Sequence, residues 1–211
     1  MDNTEQLFLL FGLHRSGSSA TAGIVHFLGV DMGQNEGLFE NLDFVLINEE
    51  ILWESGGAWD SPPDNHSIVG SNYTKSRIHT FLAANSNLVW GLKDPRLLLT
   101  FDVWKPYIKQ HRKVTYIFIH RPFIASVKSL TYRDQLSLTK STEILAPYLQ
   151  NFYRHRYALA AEGEDIVDVY YDQLVQEVRP FVSEINLRLH QPPEHNTGLV
   201  QEWVHKDLKR F

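Results

Sequence analysis

LFLLFGLHRSGSSATAGIVHFLG, residues 7–29, decides how the chain is built. Leu7 to Phe11 is a continuous apolar run, the signature of a central parallel strand buried on both faces. From Gly12 to Ser19 the sequence has the skeleton G-x-x-x-x-G-x-S, that of a phosphate-binding loop. Behind it, Ala20, Ile24, Phe27 and Leu28 recur at helical spacing, with Gly29 placed as a C-terminal cap. Such a loop turns backbone N–H groups toward an anion, and the helix N-terminus adds a partial positive charge. Arg15 contributes a full charge inside the loop. An anion site is therefore expected here, the alternative being a Gly-rich strand-to-helix turn that binds nothing.

Beyond this unit the pattern keeps alternating. Helices are predicted over 41–53, with Phe44, Ile47 and Ile51 on one face, and over 71–84. Between them SGGAWDSPPDN, residues 55–65, reads as a loop around Trp59. It is either a mobile lid or a surface loop pinned by its tryptophan. A short strand over 88–91 runs into the turn KDPR, residues 93–96, and a helix over 97–109. A buried strand over 114–119 ends in His120-Arg121-Pro122. Pro122 fits the first turn of a helix whose Ile124, Val127 and Leu130 face the core. A long helix over 141–162, a strand over 166–169, two short helices broken near Pro180 and a last helix after Pro193 complete the chain. Phe181, Ile185 and Leu189 are read on one face of the second short helix. Strands alternating with helices predict an α/β fold, a doubly wound parallel sheet flanked by helices, in a single domain over 1–211. Ligands in such folds bind beyond the carboxyl ends of the strands. The Gly12 loop, the Lys93 turn and the His120-Arg121 turn all belong there.

Composition narrows the partners. The chain has 211 residues, with 20 Lys and Arg against 25 Asp and Glu, a net charge of −5. No basic excess points to nucleic acid. The lack of cysteine excludes disulfides, thiolate metal sites and cysteine nucleophiles, and fits a reducing cytoplasm. The apolar run at residue 7 is too short to span a membrane and no charged leader precedes it, so a cytoplasmic protein without a membrane span is expected.

The loop departs from a nucleotide triphosphatase at one position: Ser18 stands where those enzymes carry lysine. The strand TYIFIH then ends in His-Arg, where a metal-dependent enzyme of that kind places an acidic Mg²⁺ ligand. The ten histidines show no H-E-x-x-H spacing, and no metal site is predicted. Arg15 and Arg121, two separated cations, suit a ligand with two separated anionic groups.

These motifs together resemble the sulfotransferases that use 3′-phosphoadenosine 5′-phosphosulfate, compact bacterial members above all. HRSGSSA is similar to the family's 5′-phosphosulfate loop. FIHRPFIASVKSL, residues 118–130, resembles its 3′-phosphate segment, with Arg121 followed eight residues later by Ser129. LKDPR resembles the lysine-bearing turn of tyrosylprotein sulfotransferases. GLFENLDFVLINEEIL resembles the stretch that supplies a catalytic glutamate, and VYYDQLV, from Val169, a late strand-and-helix segment. The resemblance runs over residues 7–190 and implies a P-loop NTPase-like sulfotransferase fold. It implies transfer of a sulfuryl group from 3′-phosphoadenosine 5′-phosphosulfate, as co-substrate, to a hydroxyl or amine of a small-molecule or carbohydrate acceptor, with no metal required.

It also implies site residues. His14, Arg15, Ser16, Gly17, Ser18 and Ser19 would hold the phosphosulfate, and Arg121 with Ser129 the 3′-phosphate. Arg15, Glu40 and Lys93 would act in the chemistry, Glu40 as the base with Glu36 competing for that role. Asp94 would orient Lys93 or Arg96, or sit as a helix N-terminal carboxylate. His14 and His120 are read as positioning or satisfied polar residues in preference to bases. The family's basic C-terminal loop is not recognisable; Lys206, Lys209 and Arg210 are the candidates to replace it. Two other classes stay open: a small-molecule kinase, which Mg²⁺-dependent ATP turnover would reveal, and a non-catalytic nucleotide-binding module.

Overall fold

Four strands, Glu5–Phe11 (β1), Val89–Lys93 (β2), Arg112–His120 (β3) and Asp165–Tyr170 (β4), form one sheet among the described residues, every pairing parallel, in the order β2-β1-β3-β4. The computed structural model describes residues 5–33, 38–85, 88–108 and 112–207. Alternation along β1 assigns its two faces. Leu7, Leu9 and Phe11 pack in one core and Phe8 and Leu10 in the other, all fully buried.

Helices cover both faces. On the first lie Leu42–Glu54 (α2), Asn72–Ala84 (α3), Leu97–Ile108 (α4), Phe123–Asp134 (α5) and Leu138–Ala161 (α6). On the second lie Ser18–Phe27 (α1), Arg179–Arg188 (α8) and Thr197–Asp207 (α9), with the single turn Tyr171–Leu174 (α7) closing β4. The expected parallel sheet between helical layers is what the chain builds.

Local chemistry sets the helix starts. Asn41 caps α2 by accepting the Phe44 N–H at 3.2 Å. Ser71 caps α3 through the Thr74 N–H, and its own hydroxyl donates to Glu54 at 2.7 Å. The C-terminal stop of α1 uses Gly29 at φ +106°, a conformation glycine reaches without strain.

Four local readings shift. β2 extends to Lys93, so that residue ends a strand instead of opening a turn. Pro122 caps α5 from outside its first turn. Ile124 is 51 % exposed while Ser126 is buried, because the core face of α5 is centred on Ser126, Val127 and Leu130 and Ile124 lies off that arc. The break between α7 and α8 falls at 175–178, leaving Pro180 in the first turn of α8, where a missing N–H costs nothing. The 55–65 loop is pinned, not free. The Tyr148 hydroxyl donates to the Trp59 carbonyl at 2.8 Å, Asn151 donates to Asn65 at 2.7 Å, and the Arg133 guanidinium lies over the Trp59 ring.

Register brings the chemistry together. Leu10 pairs with Lys93 on one side and Ile117 on the other, so β1, β2 and β3 end at one edge of the sheet. No helix among the described residues is long and apolar enough to cross a membrane.

Candidate anion site

The loop between β1 and α1 takes its shape from two left-handed residues, Arg15 at φ +66° and Gly17 at φ +89°. The Ser16 N–H closes a turn on the Leu13 carbonyl at 3.0 Å. Gly17 is required twice over. Its φ disfavours a side chain, and a Cβ there would come within 2.1 Å of the Tyr171 ring. The first intrahelical bond of α1 runs from the Thr21 N–H to the Gly17 carbonyl. The amides of Ser18, Ser19 and Ala20 therefore have no acceptor within the helix.

A pocket opens at this helix start, lined by Arg15, Gly17, Ser18, Ser19, Ala20, Arg121 and Tyr171. Three loop residues expected to bind line it through Arg15, Ser18 and Ser19, and Gly17 contributes backbone. The other two turn away. His14 packs between Trp59 and Tyr148, with ring centroids at 5.1 and 5.0 Å. The Ser16 hydroxyl is buried beneath the loop.

Arg15 and Ser129 meet directly, the Arg15 Nε donating to the Ser129 hydroxyl at 3.0 Å. Arg121 donates from one terminal nitrogen to the Arg15 carbonyl at 2.6 Å, and its guanidinium lies 4.9 Å above the Tyr171 ring. Its Nε is buried with no hydrogen-bond partner. Arg121 also lines the pocket, where its charge favours an anion. Burial, together with Arg133 and Arg121, pulls the Arg15 guanidinium below its ordinary value.

On the β2 side, Lys93 is 2 % exposed, and its ammonium donates to Glu40 at 2.6 Å and to the Ser19 hydroxyl at 3.1 Å. Glu40 thus stands immediately before α2, opposite the anion loop, with Lys93 between them. Glu36, Lys209, Arg210 and the side chain of Lys206 lie outside the described residues. Asp94, fully buried, accepts from the Arg96 N–H and from its guanidinium, both at 3.0 Å. It holds Arg96 and caps the turn into α4 at once. Burial pushes its carboxyl up from the usual carboxylate range, while Arg96 pulls it down.

No protein-family model matches the chain, and no curated protein matches it in sequence. Its function is read from the residues themselves.

His120 is a structural residue. Its Nε2 pairs with Asp168 at 2.7 Å and its ring stacks on Tyr170 at 4.7 Å, facing α6. Two residues of the site escaped sequence reasoning. Tyr171 forms a wall of the pocket, and the signal was the VYYDQLV segment that ends β4. Asn48 lies under Lys93 and Asp94, and the signal was a polar residue inside the apolar stripe of α2. Chemically, the arrangement offers backbone donors and two arginines to an anion, and a carboxylate and an ammonium at its edge.

Proposed function

We propose that the protein is a sulfotransferase of P-loop-like fold, moving a sulfuryl group from 3′-phosphoadenosine 5′-phosphosulfate to a hydroxyl or amine on a small-molecule or carbohydrate acceptor. The observation that carries this reading is Lys93, whose ammonium bridges Glu40 and Ser19 at the edge of a cationic, lysine-free anion loop. A base and a cation are thereby held against the place where an anion sits.

In this reading the α1 amides, Arg15, Ser18 and Ser19 take the phosphosulfate, and Arg121 takes the 3′-phosphate together with Ser129. The Arg15–Ser129 hydrogen bond opens as the donor enters. The acceptor oxygen attacks sulfur in line as the bond from sulfur to the bridging phosphate oxygen breaks. Glu40 removes the acceptor proton. Protonation of Glu40 releases the Lys93 ammonium from its ion pair, free to stabilise the charge that grows on the bridging oxygen. The products are the sulfated acceptor and adenosine 3′,5′-bisphosphate. The lack of cysteine is compatible with work in a reducing cytoplasm.

The test is transfer of labelled sulfur from the phosphosulfate donor to a panel of sugars, phenols, alcohols and amines, with and without a chelator. The reading expects transfer that survives the chelator. ATP-dependent phosphorylation in place of sulfation would establish the kinase alternative.

A further inference from the structure

Asp94, next to Lys93 in the chain, belongs to a buried polar cluster with Asn48, Thr100 and Trp104. Asn48 is completely buried in the apolar face of α2 and satisfies its amide on both sides. Its Nδ2 donates to Asp94 at 2.9 Å, and its Oδ1 accepts from the Thr100 hydroxyl at 2.6 Å and from the Trp104 indole at 2.8 Å. The amide therefore ties three elements together: α2, the β2 end that carries Lys93 and Asp94, and α4.

The position of this tie matters for the chemistry. Glu40 immediately precedes the cap of α2, about two helical turns before Asn48. Lys93 and Asp94 are adjacent in the chain. The Asn48–Asp94 hydrogen bond thus ties the second turn of α2 to the end of β2, and through the helix sets the spacing at which Glu40 reaches the Lys93 ammonium. A buried polar group is expensive unless paired, and an apolar residue here would leave the Asp94 carboxylate, the Thr100 hydroxyl and the Trp104 indole each without this partner.

We propose that Asn48, acting through Asp94, is a positioning residue that sets the Glu40–Lys93 pair at the mouth of the anion site. Its catalytic consequence rests on the sulfotransferase reading, but the positioning itself does not. A double exchange separates geometry from packing. In N48D/D94N the amide and the carboxylate trade positions. The amide now on the β2 side donates to the carboxylate now on α2, and that carboxylate accepts from Thr100 and Trp104. The oxygen of the exchanged amide still accepts from Arg96. Every hydrogen bond has a counterpart, and the one interaction given up is the charge of the Arg96–Asp94 ion pair.

The experiment uses the full chain and two readouts. In the first, lysines are acetylated in the ligand-free protein and followed residue by residue by peptide mass. N48A is expected to speed acetylation of Lys93 roughly tenfold by local loosening, with exposed Lys75 and Lys128 unchanged, and N48D/D94N to return it toward wild type. In the second, N48A is expected to lower kcat by about tenfold to a hundredfold, the scale of a misplaced reacting group, with affinity for adenosine 3′,5′-bisphosphate within about twofold. N48D/D94N is expected to recover kcat. If N48A does not fold, T100V, which removes one donor to Asn48, is expected to give a smaller rise at Lys93. Unchanged Lys93 labelling, a rise at all lysines together, or no recovery in N48D/D94N would overturn the proposal. Changed Lys93 labelling in a protein that transfers no sulfuryl group would leave the positioning role standing and overturn the sulfotransferase reading.

Discussion

Arg15 is the residue on which the site turns. It lines the pocket, occupies a left-handed backbone conformation, and is held by Arg121 through its carbonyl and by Ser129 through its side chain. R15A is expected to weaken anion binding by about 1.5–3 kcal/mol, the value of a lost charge-assisted hydrogen bond, measured by calorimetry. Near-normal binding in this variant would remove Arg15 from the ligand. E40Q should leave donor affinity nearly unchanged while lowering turnover by about 10²–10⁴-fold, the contribution of a general base; a variant as active as wild type would return the role to Glu36. G17A puts a methyl group into the Tyr171 ring at a φ that disfavours it. It should abolish anion binding, and an unaltered titration would show that the loop is not the binding element.

Among the elements, α2 carries the most consequence, because its start holds Glu40 and its middle holds Asn48. Its cap is one hydrogen bond, donated by the Phe44 N–H to the Asn41 side chain. N41A should cost about 1 kcal/mol in a urea titration, and also lower turnover by loosening the turn that presents Glu40. A stability loss with turnover unaffected would mean that the first turn does not position the base.

The elements themselves were legible in the sequence. Apolar runs announce β1 and β3, helical spacing announces α1 and α2, and the helices read from Asn41 and Ser71 start within one residue of α2 and α3. Arg15, Lys93 and Arg121 were legible for a related reason, since they end buried strands or follow them. What sequence could not give was contact across elements. Nothing local shows that Lys93 meets Glu40, that Arg15 meets Ser129, or that His14 turns into Trp59 and Tyr148 while its neighbour faces the pocket. Ile124 was misplaced because three residues at helical spacing do not fix the centre of a helix face when a serine shares it.

For the whole molecule, two buried histidines set the response to acid. Burial, with Arg96, Arg133, Lys93 and Arg15 nearby, holds His14 well below its ordinary value of 6.5. Burial and Arg154 bring His155 down to about 4. The folded protein therefore resists protons that the unfolded chain accepts once the pH falls below the ordinary histidine range. Stability contributed by the neutral rings is present above that range and is lost as the pH falls from 6.5 toward 4. The urea midpoint should drop between about pH 7 and pH 5, and drop less in H155Q; a midpoint independent of pH would contradict the burial of these rings. Asp94, raised by burial, works in the opposite direction as the pH falls.

The central claim is that one site holds two separated anionic groups of a nucleotide. It is tested most directly by changing the ligand and leaving the protein intact. Calorimetric titration of the wild-type chain should show adenosine 3′,5′-bisphosphate binding roughly tenfold to a hundredfold more tightly than adenosine 5′-monophosphate, the gain of pairing the Arg121 guanidinium with a 3′-phosphate. Equal affinities for the two ligands, or no binding of either, would contradict it.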